Sequence, residues 1–259
     1  TSFDKYLAIP RIGRRTRLGP VQREAAWAVF AFVRERLAAR GLISWPALYA
    51  ALADRLAAGG TLPFTHIIVD EAQDLTVAQM RFLAIVARHG AGSGGVDRAD
   101  ALFFAGDQGQ RIFHLPFSWT ALGVDIRGRS HSLKVNYRTS HQIRTLADRL
   151  LPASVSDMDG NSDGRARTVS IFDGPDPVII LAADEDAECV AVAGFIAECL
   201  ADGIAAPEIG LLVRSQAQLA RARAAVAAAG LDWRDAETAP AIATMHEAKG
   251  LEFRAVAVV

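Results

Sequence analysis

Lysine is nearly missing from this chain: of 28 basic residues only Lys5, Lys134 and Lys249 are lysine, a bias toward arginine that reads as compositional rather than functional. Cysteine is scarcer still. Cys189 and Cys199 stand ten positions apart on a predicted helix, which excludes a disulfide framework and does not resemble metal-ligand spacing, so two reduced thiols are expected. Excess charge of one sign is also lacking, with a formal net charge of -1 and a pI near 6.6. That excludes a global positive field, so a nucleic-acid partner would have to be held by a local patch. No uninterrupted run of eighteen apolar residues and no signal-peptide pattern occur, so no membrane partner is expected and a soluble cytoplasmic protein is. Thr1 is not an initiator methionine and the first methionine is Met80, so a fragment or processed product is expected.

What is present is an apolar run that ends abruptly in acid, His66-Ile67-Ile68-Val69 leading into Asp70-Glu71-Ala72-Gln73-Asp74. A short run with β-branched residues predicts a strand. Carboxylates at its carboxyl end sit where open α/β sheets place ligand chemistry. In a nucleotide hydrolase the first acid would hold Mg²⁺ and the second would activate water. The alternative is a helix start with acids favoured by the dipole.

Three further blocks follow. Ala101 to Ala105 runs apolar into Gly106-Asp107-Gln108-Gly109-Gln110-Arg111-Ile112-Phe113. Leu133-Lys134-Val135-Asn136-Tyr137-Arg138-Thr139-Ser140 precedes Ile143 and Leu146 at helical spacing. The last block is Ile242-Ala243-Thr244-Met245-His246-Glu247-Ala248-Lys249-Gly250-Leu251-Glu252-Phe253. In this order the four blocks resemble the motor motifs of superfamily 1 DNA helicases of the UvrD/Rep/PcrA type, over about His66 to Val259. The resemblance implies an α/β fold of two RecA-like (P-loop NTPase-type) parallel-sheet units, both incomplete, behind a helical N-terminal segment. Residues 1–62 would be that segment, 63–130 the C-terminal part of the first RecA-like domain and 131–259 the second.

Along the chain, two helices are expected between Pro20 and Leu56, separated at Gly41 and Ser44-Trp45-Pro46, and another from Val77 to Ala87. Gly90 to Gly95 reads as a loop, and the boundary between the two α/β units is expected between Arg127 and Leu133. Beyond it come a helix after Ser140, a surface loop over Ser154 to Arg167, and strands near Val169 to Phe172 and Val178 to Leu181. A helix from Asp184 to Leu200, a strand near Ile209 to Val213, a helix through Ala228 and strands around Ala241 to Thr244 and Val256 to Val259 complete the pattern. Alternation of this kind predicts a mainly parallel sheet. Between Arg214 and Thr244 there is room for one helix and a turn, so the additional domain that many such helicases insert there is not expected.

The resemblance implies ATP and Mg²⁺ as cofactors and single-stranded DNA as partner. Asp70 would hold Mg²⁺ and Glu71 would activate water, with Gln73 and Asp74 in the cleft network. Gln110 and Arg138 would contact the γ-phosphate, Tyr137 would stack on adenine, Glu252 would accept from the ribose hydroxyls, and Gly250 would line the same nucleotide site. Thr244 and His246 would lie near DNA or couple its groove to the nucleotide; for His246 a structural hydrogen-bonding role stays open. Where the family has a tryptophan for base stacking this chain has Leu115, so Phe113, Phe117 or Trp119 could supply the plane, with a place in the core the alternative for Phe113 and Phe117. Arg11, Arg14, Arg15 and Arg17, with Arg23 nearby, form the one dense basic run, read as a solvated face before a DNA contact.

A phosphate loop, G-x-x-x-x-G-K-[ST], does not occur in these 259 residues. The family's final arginine motif would lie beyond Val259. The expectation is therefore part of an ATP-dependent DNA translocase or helicase acting with the remainder of its parent chain, inactive by itself. Polarity would be 3′-to-5′, with a nuclease or DNA-repair partner possible; the alternative is a non-catalytic module that binds DNA or protein.

Overall fold

The computed structural model describes residues 2–8, 18–59, 62–89, 100–110, 118–150, 154–156, 162–164 and 168–259. The chain divides by packing into two compact units, Thr1–Asp176 and Pro177–Val259. Loop 90–95, the aromatics Phe113 and Phe117, Leu115, and Arg11, Arg14, Arg15 and Arg17 lie outside the described residues.

The first unit opens with α1 (Phe3–Ala8), α2 (Pro20–Ala39) and α3 (Trp45–Ala57). Pro20 starts α2 because its fixed φ and missing N–H suit the first turn, and the Gln22 side chain accepts the Gly19 N–H at 3.0 Å. The rings of Phe3 and Tyr6 lie against Trp27, with centroids 5.7 and 5.4 Å apart, which seats α1 on α2. Ser44 caps α3 by accepting the Ala47 N–H. Both helices expected between Pro20 and Leu56 are found, and no described residue of α2 is buried.

Strand β1 (Ile67–Val69) leads through a 3-10 turn at Ala72–Asp74 into α4 (Val77–His89) and then β2 (Leu102–Phe104). A reciprocal pair, the Thr76 N–H to Gln79 Oε1 at 2.8 Å and the Gln79 N–H to Thr76 Oγ1 at 3.2 Å, starts α4. The two strands are parallel, with Ile68 opposite Phe103 and Val69 opposite Phe104. Val69 and Phe104 pack on a small core of Ala72, Met80 and Trp119. Next come β3 (Val135–Asn136), α5 (His141–Asp148), β4 (Ser154–Ser156), β5 (Ser162–Gly164) and β6 (Val169–Ser170). Strand β3 pairs parallel with β6, and β4 pairs antiparallel with β5.

The second unit contains α6 (Glu185–Ala201), β7 (Ile209–Val213), α7 (Leu219–Ala228), β8 (Ala241–Thr244) and β9 (Ala255–Val258). Asp184 caps α6 by accepting the Ala187 N–H at 2.8 Å, and Glu185, Asp186 and Glu188 complement the dipole in its first turn. The sheet order is β8-β7-β9, all parallel. A central parallel strand is covered on both faces, which is why Ile209-Gly210-Leu211-Leu212-Val213 is a nearly continuous apolar run. Ile209, Leu211 and Val213 are fully buried with Ile196, Ala222 and Val226. Cys199 is part of this core, and burial pushes its thiol up from the usual range, so it acts as an apolar side chain.

Two sequence expectations are corrected. Val178 to Leu181 form no strand, and all four side chains are exposed. A β-branched run favours extended backbone, but a strand needs a partner, and no described strand pairs with these residues. Within Ser154 to Arg167, expected as loop, the described residues form strands β4 and β5, which pair antiparallel. The strand expected over Val169 to Phe172 is shortened to Val169–Ser170.

Candidate functional site

After Val69 the chain leaves the sheet through Asp70 and Glu71. The Asp70 Oδ1 accepts the Glu71 N–H at 2.8 Å, and Glu71 takes φ 52° and ψ 39°, the left-handed region that non-glycine residues rarely adopt. Such a conformation costs about 1–3 kcal/mol and persists where surrounding structure enforces it. Enforcement here comes from the sheet: the Ala105 N–H donates to the Val69 carbonyl at 2.8 Å and the Ala72 N–H donates to the Ala105 carbonyl at 2.9 Å. Asp70 and Glu71 are left exposed at the strand end, while Ala72 and Gln73 turn inward.

Gln73 is only 3% exposed. Its Nε2 donates to Glu71 Oε2, and its Oε1 accepts the Asp107 N–H at 3.1 Å. The Asp107 carboxylate accepts in turn from the Gly109 N–H at 2.8 Å and from Gln110 Nε2 at 3.1 Å. Gly106 provides the room: a Cβ there would overlap Gln73 Oε1 and lie 3.0 Å from the Ala72 nitrogen. The first and second sequence blocks thus meet at the carboxyl ends of β1 and β2. Asp107 was not singled out from sequence, although the Gly-Asp dipeptide was a usable signal.

Among the described residues no three His, Cys, Asp or Glu side chains gather into a metal cage. The donor set at the strand end, an exposed Asp70 carboxylate beside Glu71, suits a hard cation that keeps waters and completes its shell with phosphate oxygens, the habit of Mg²⁺. Trp119 is corrected as a stacking residue. It is 6% exposed, its ring lies 5.0 Å from that of Phe104, and it shares a core with Ala72 and Met80, so it offers no face to a base.

The third block ends β3. Asn136 Oδ1 accepts the N–H groups of Arg138 at 2.8 Å and Thr139 at 3.1 Å, a local turn that leaves Tyr137 and Arg138 exposed. Ser140, buried, then caps α5 through Ile143. Tyr137 and Arg138 belong to the β3–β6 sheet, separate from the β1–β2 sheet that carries Asp70 and Gln110.

The fourth block belongs to the second unit. Thr244 is buried at the end of β8, and its N–H and Oγ1 both donate to Glu247 Oε2, at 3.0 and 2.9 Å. Gln216, in the turn after β7, donates to Glu247 Oε1 at 2.7 Å. These bonds hold the Glu247 carboxyl below its usual range, the Thr244 N–H having the largest effect. His246 and Glu252 are exposed, Gly250 takes φ +82°, and the Phe253 ring packs on Gly210. Glu247 and Gln216 were missed from sequence; the Thr-x-x-Glu spacing is the signature that would have found the first of them.

Residues 35–117 match the family model described as the UvrD/REP helicase N-terminal domain, which includes Asp70, Glu71 and Gln110 and stops before Tyr137. The comparison with curated proteins returns no match.

Proposed function

We propose that this chain, a piece of a UvrD-like helicase by its match over residues 35–117, serves an ATP-dependent motor that moves on single-stranded DNA. The observation that carries the reading is the hydrogen-bonded connection of Glu71, Gln73, Asp107 and Gln110 at the carboxyl ends of two parallel strands. That is where α/β sheets bind nucleotides. Glu71 would take the proton of the attacking water, and Gln110 would hydrogen-bond that water and the γ-phosphate. Asp70 would hold Mg²⁺, which neutralises charge on the transferring phosphoryl group. Arg138 would contact the γ-phosphate, for which a planar guanidinium is suited. Tyr137 would stack on adenine, Glu252 would accept from the ribose, and Gly250 would contribute to nucleotide binding.

In this proposal two RecA-like units meet between Arg127 and Leu133, and the phosphate loop comes from polypeptide outside these 259 residues. Nucleotide contacts that differ between open and closed states would then bias the motion of one unit against the other. His246 would lie near DNA, and Thr244, which is buried, would couple the DNA groove to the nucleotide site. Movement would run 3′-to-5′, and strand displacement only from 5′-tailed DNA would overturn that polarity. A nuclease or repair partner fits the same reading. Among the described residues no helix is long and apolar enough to cross a membrane.

ATP turnover by the full-length protein, with and without single-stranded DNA, beside Glu71→Gln, tests the proposal. Stimulation by DNA is expected, with turnover falling about 100-fold or more in the variant while nucleotide binding persists. A full-length protein that binds DNA without turnover would establish the non-catalytic module instead.

A further inference from the structure

Gln73 has both ends of its amide committed. Its Oε1 faces the Asp107 N–H, which can only donate, so its Nε2 is directed at the Glu71 carboxylate, which can only accept when ionised. Burial at 3% and the missing Cβ at Gly106 hold the amide in this orientation. Asp107, tied to Gln73 through its backbone, is tied through its carboxylate to Gln110. Three hydrogen bonds therefore connect the exposed carboxylate on one strand end with the exposed amide on the other.

We infer that Gln73 is a positioning residue that fixes the Glu71 carboxylate and, through Asp107, sets it in register with Gln110. The inference rests on the ATP hydrolysis proposed above. Glu71 sits in a left-handed turn with an exposed side chain. Without the Gln73 donor, rotation about its side-chain bonds would move the carboxylate off any bound water. Gln73 touches no reacting atom; its effect is on the geometry of the residue that does, where a displacement of about 1 Å can cost on the order of 100-fold in rate.

The test measures ATP hydrolysis by the full-length protein, saturated with single-stranded DNA, across ATP concentration, for wild type, Gln73→Leu and Gln73→Glu. Thermal unfolding of each accompanies it. With Gln73→Leu, kcat is expected to fall about 10- to 100-fold while KM for ATP stays within about 2-fold. Gln73→Glu keeps the acceptor for Asp107, loses the donor and sets a second carboxylate against Glu71. Its kcat is expected to fall at least as far as that of Gln73→Leu, with KM for ATP again within about 2-fold. A wild type that is active beside two variants with unchanged kcat overturns the inference and leaves the ATPase reading standing. Loss of cooperative unfolding in both variants assigns Gln73 to packing and also overturns it. A wild type without turnover overturns the ATPase reading, and this inference with it.

Discussion

Single side chains tie neighbouring strand ends together in both units, and they do so with short, polar groups. Glu247 is the clearest case, receiving Thr244 from its own turn and Gln216 from the turn after β7. Because these bonds lower the carboxyl pKa in the folded state, they contribute stability above the unfolded pKa, and that contribution is lost as pH falls through the folded value. Glu247→Ala is therefore expected to lower Tm at neutral pH, with the gap to wild type closing as the solution is acidified below the ordinary glutamate range. Thermal scans of both proteins from pH 7 downward check this; a gap that stays constant would mean that charge has no part in it. His246, two positions after Thr244, depends on this turn for its place.

At the level of elements, β7 organises the second unit. It is the strand with neighbours on both sides, and Gly210 in its middle leaves a depression that the Phe253 ring fills. A Cβ at position 210 would lie 2.7 Å from Phe253 Cδ2, closer than packed carbons tolerate. Gly210→Ala is expected to destabilise the protein by about 1–3 kcal/mol, by displacing the ring and with it the approach to β9. Denaturant unfolding measures the change, and an unaltered midpoint would show that Phe253 swings aside without cost. The same contact explains why the last sequence block ends in an aromatic: the Phe253 ring packs on Gly210 of β7.

Across the whole molecule the two units differ in how much they bury. Among the described residues, five of the six largest fully buried side chains, Ile196, Ile209, Leu211, Val213 and Val226, lie in Pro177–Val259, and Met80 lies in the other unit. In the first unit the β1–β2 pair keeps Ile68 and Phe103 on an exposed face, 79% and 61% accessible. Opening free energies follow buried apolar contact, so native-state hydrogen exchange is expected to be slowest at the amides of β7 and markedly faster at those of β1 and β2. Equal protection of the two sheets would contradict this ordering.

Much of the second unit was legible in the sequence. Asp184 with three acids announces the start of α6, and the apolar run at Ile209 to Val213 announces a buried strand, because capping and burial act on neighbours in the chain. The strand-end acids Asp70 and Glu71 were legible for the same reason. Pairings over distance were not. Gln73 and Asp107 are 34 positions apart, and nothing local in either marks their hydrogen bond. Trp119 reads as a candidate stacking residue until Phe104 is packed against it, and Val178 to Leu181 reads as a strand although no described strand pairs with it. The sequence by itself determined which segments are helical and where acids end a strand, since those depend on adjacent residues. Only the tertiary structure decided which strands pair, which aromatics are enclosed and which buried amide directs Glu71, since those depend on groups that folding brings together.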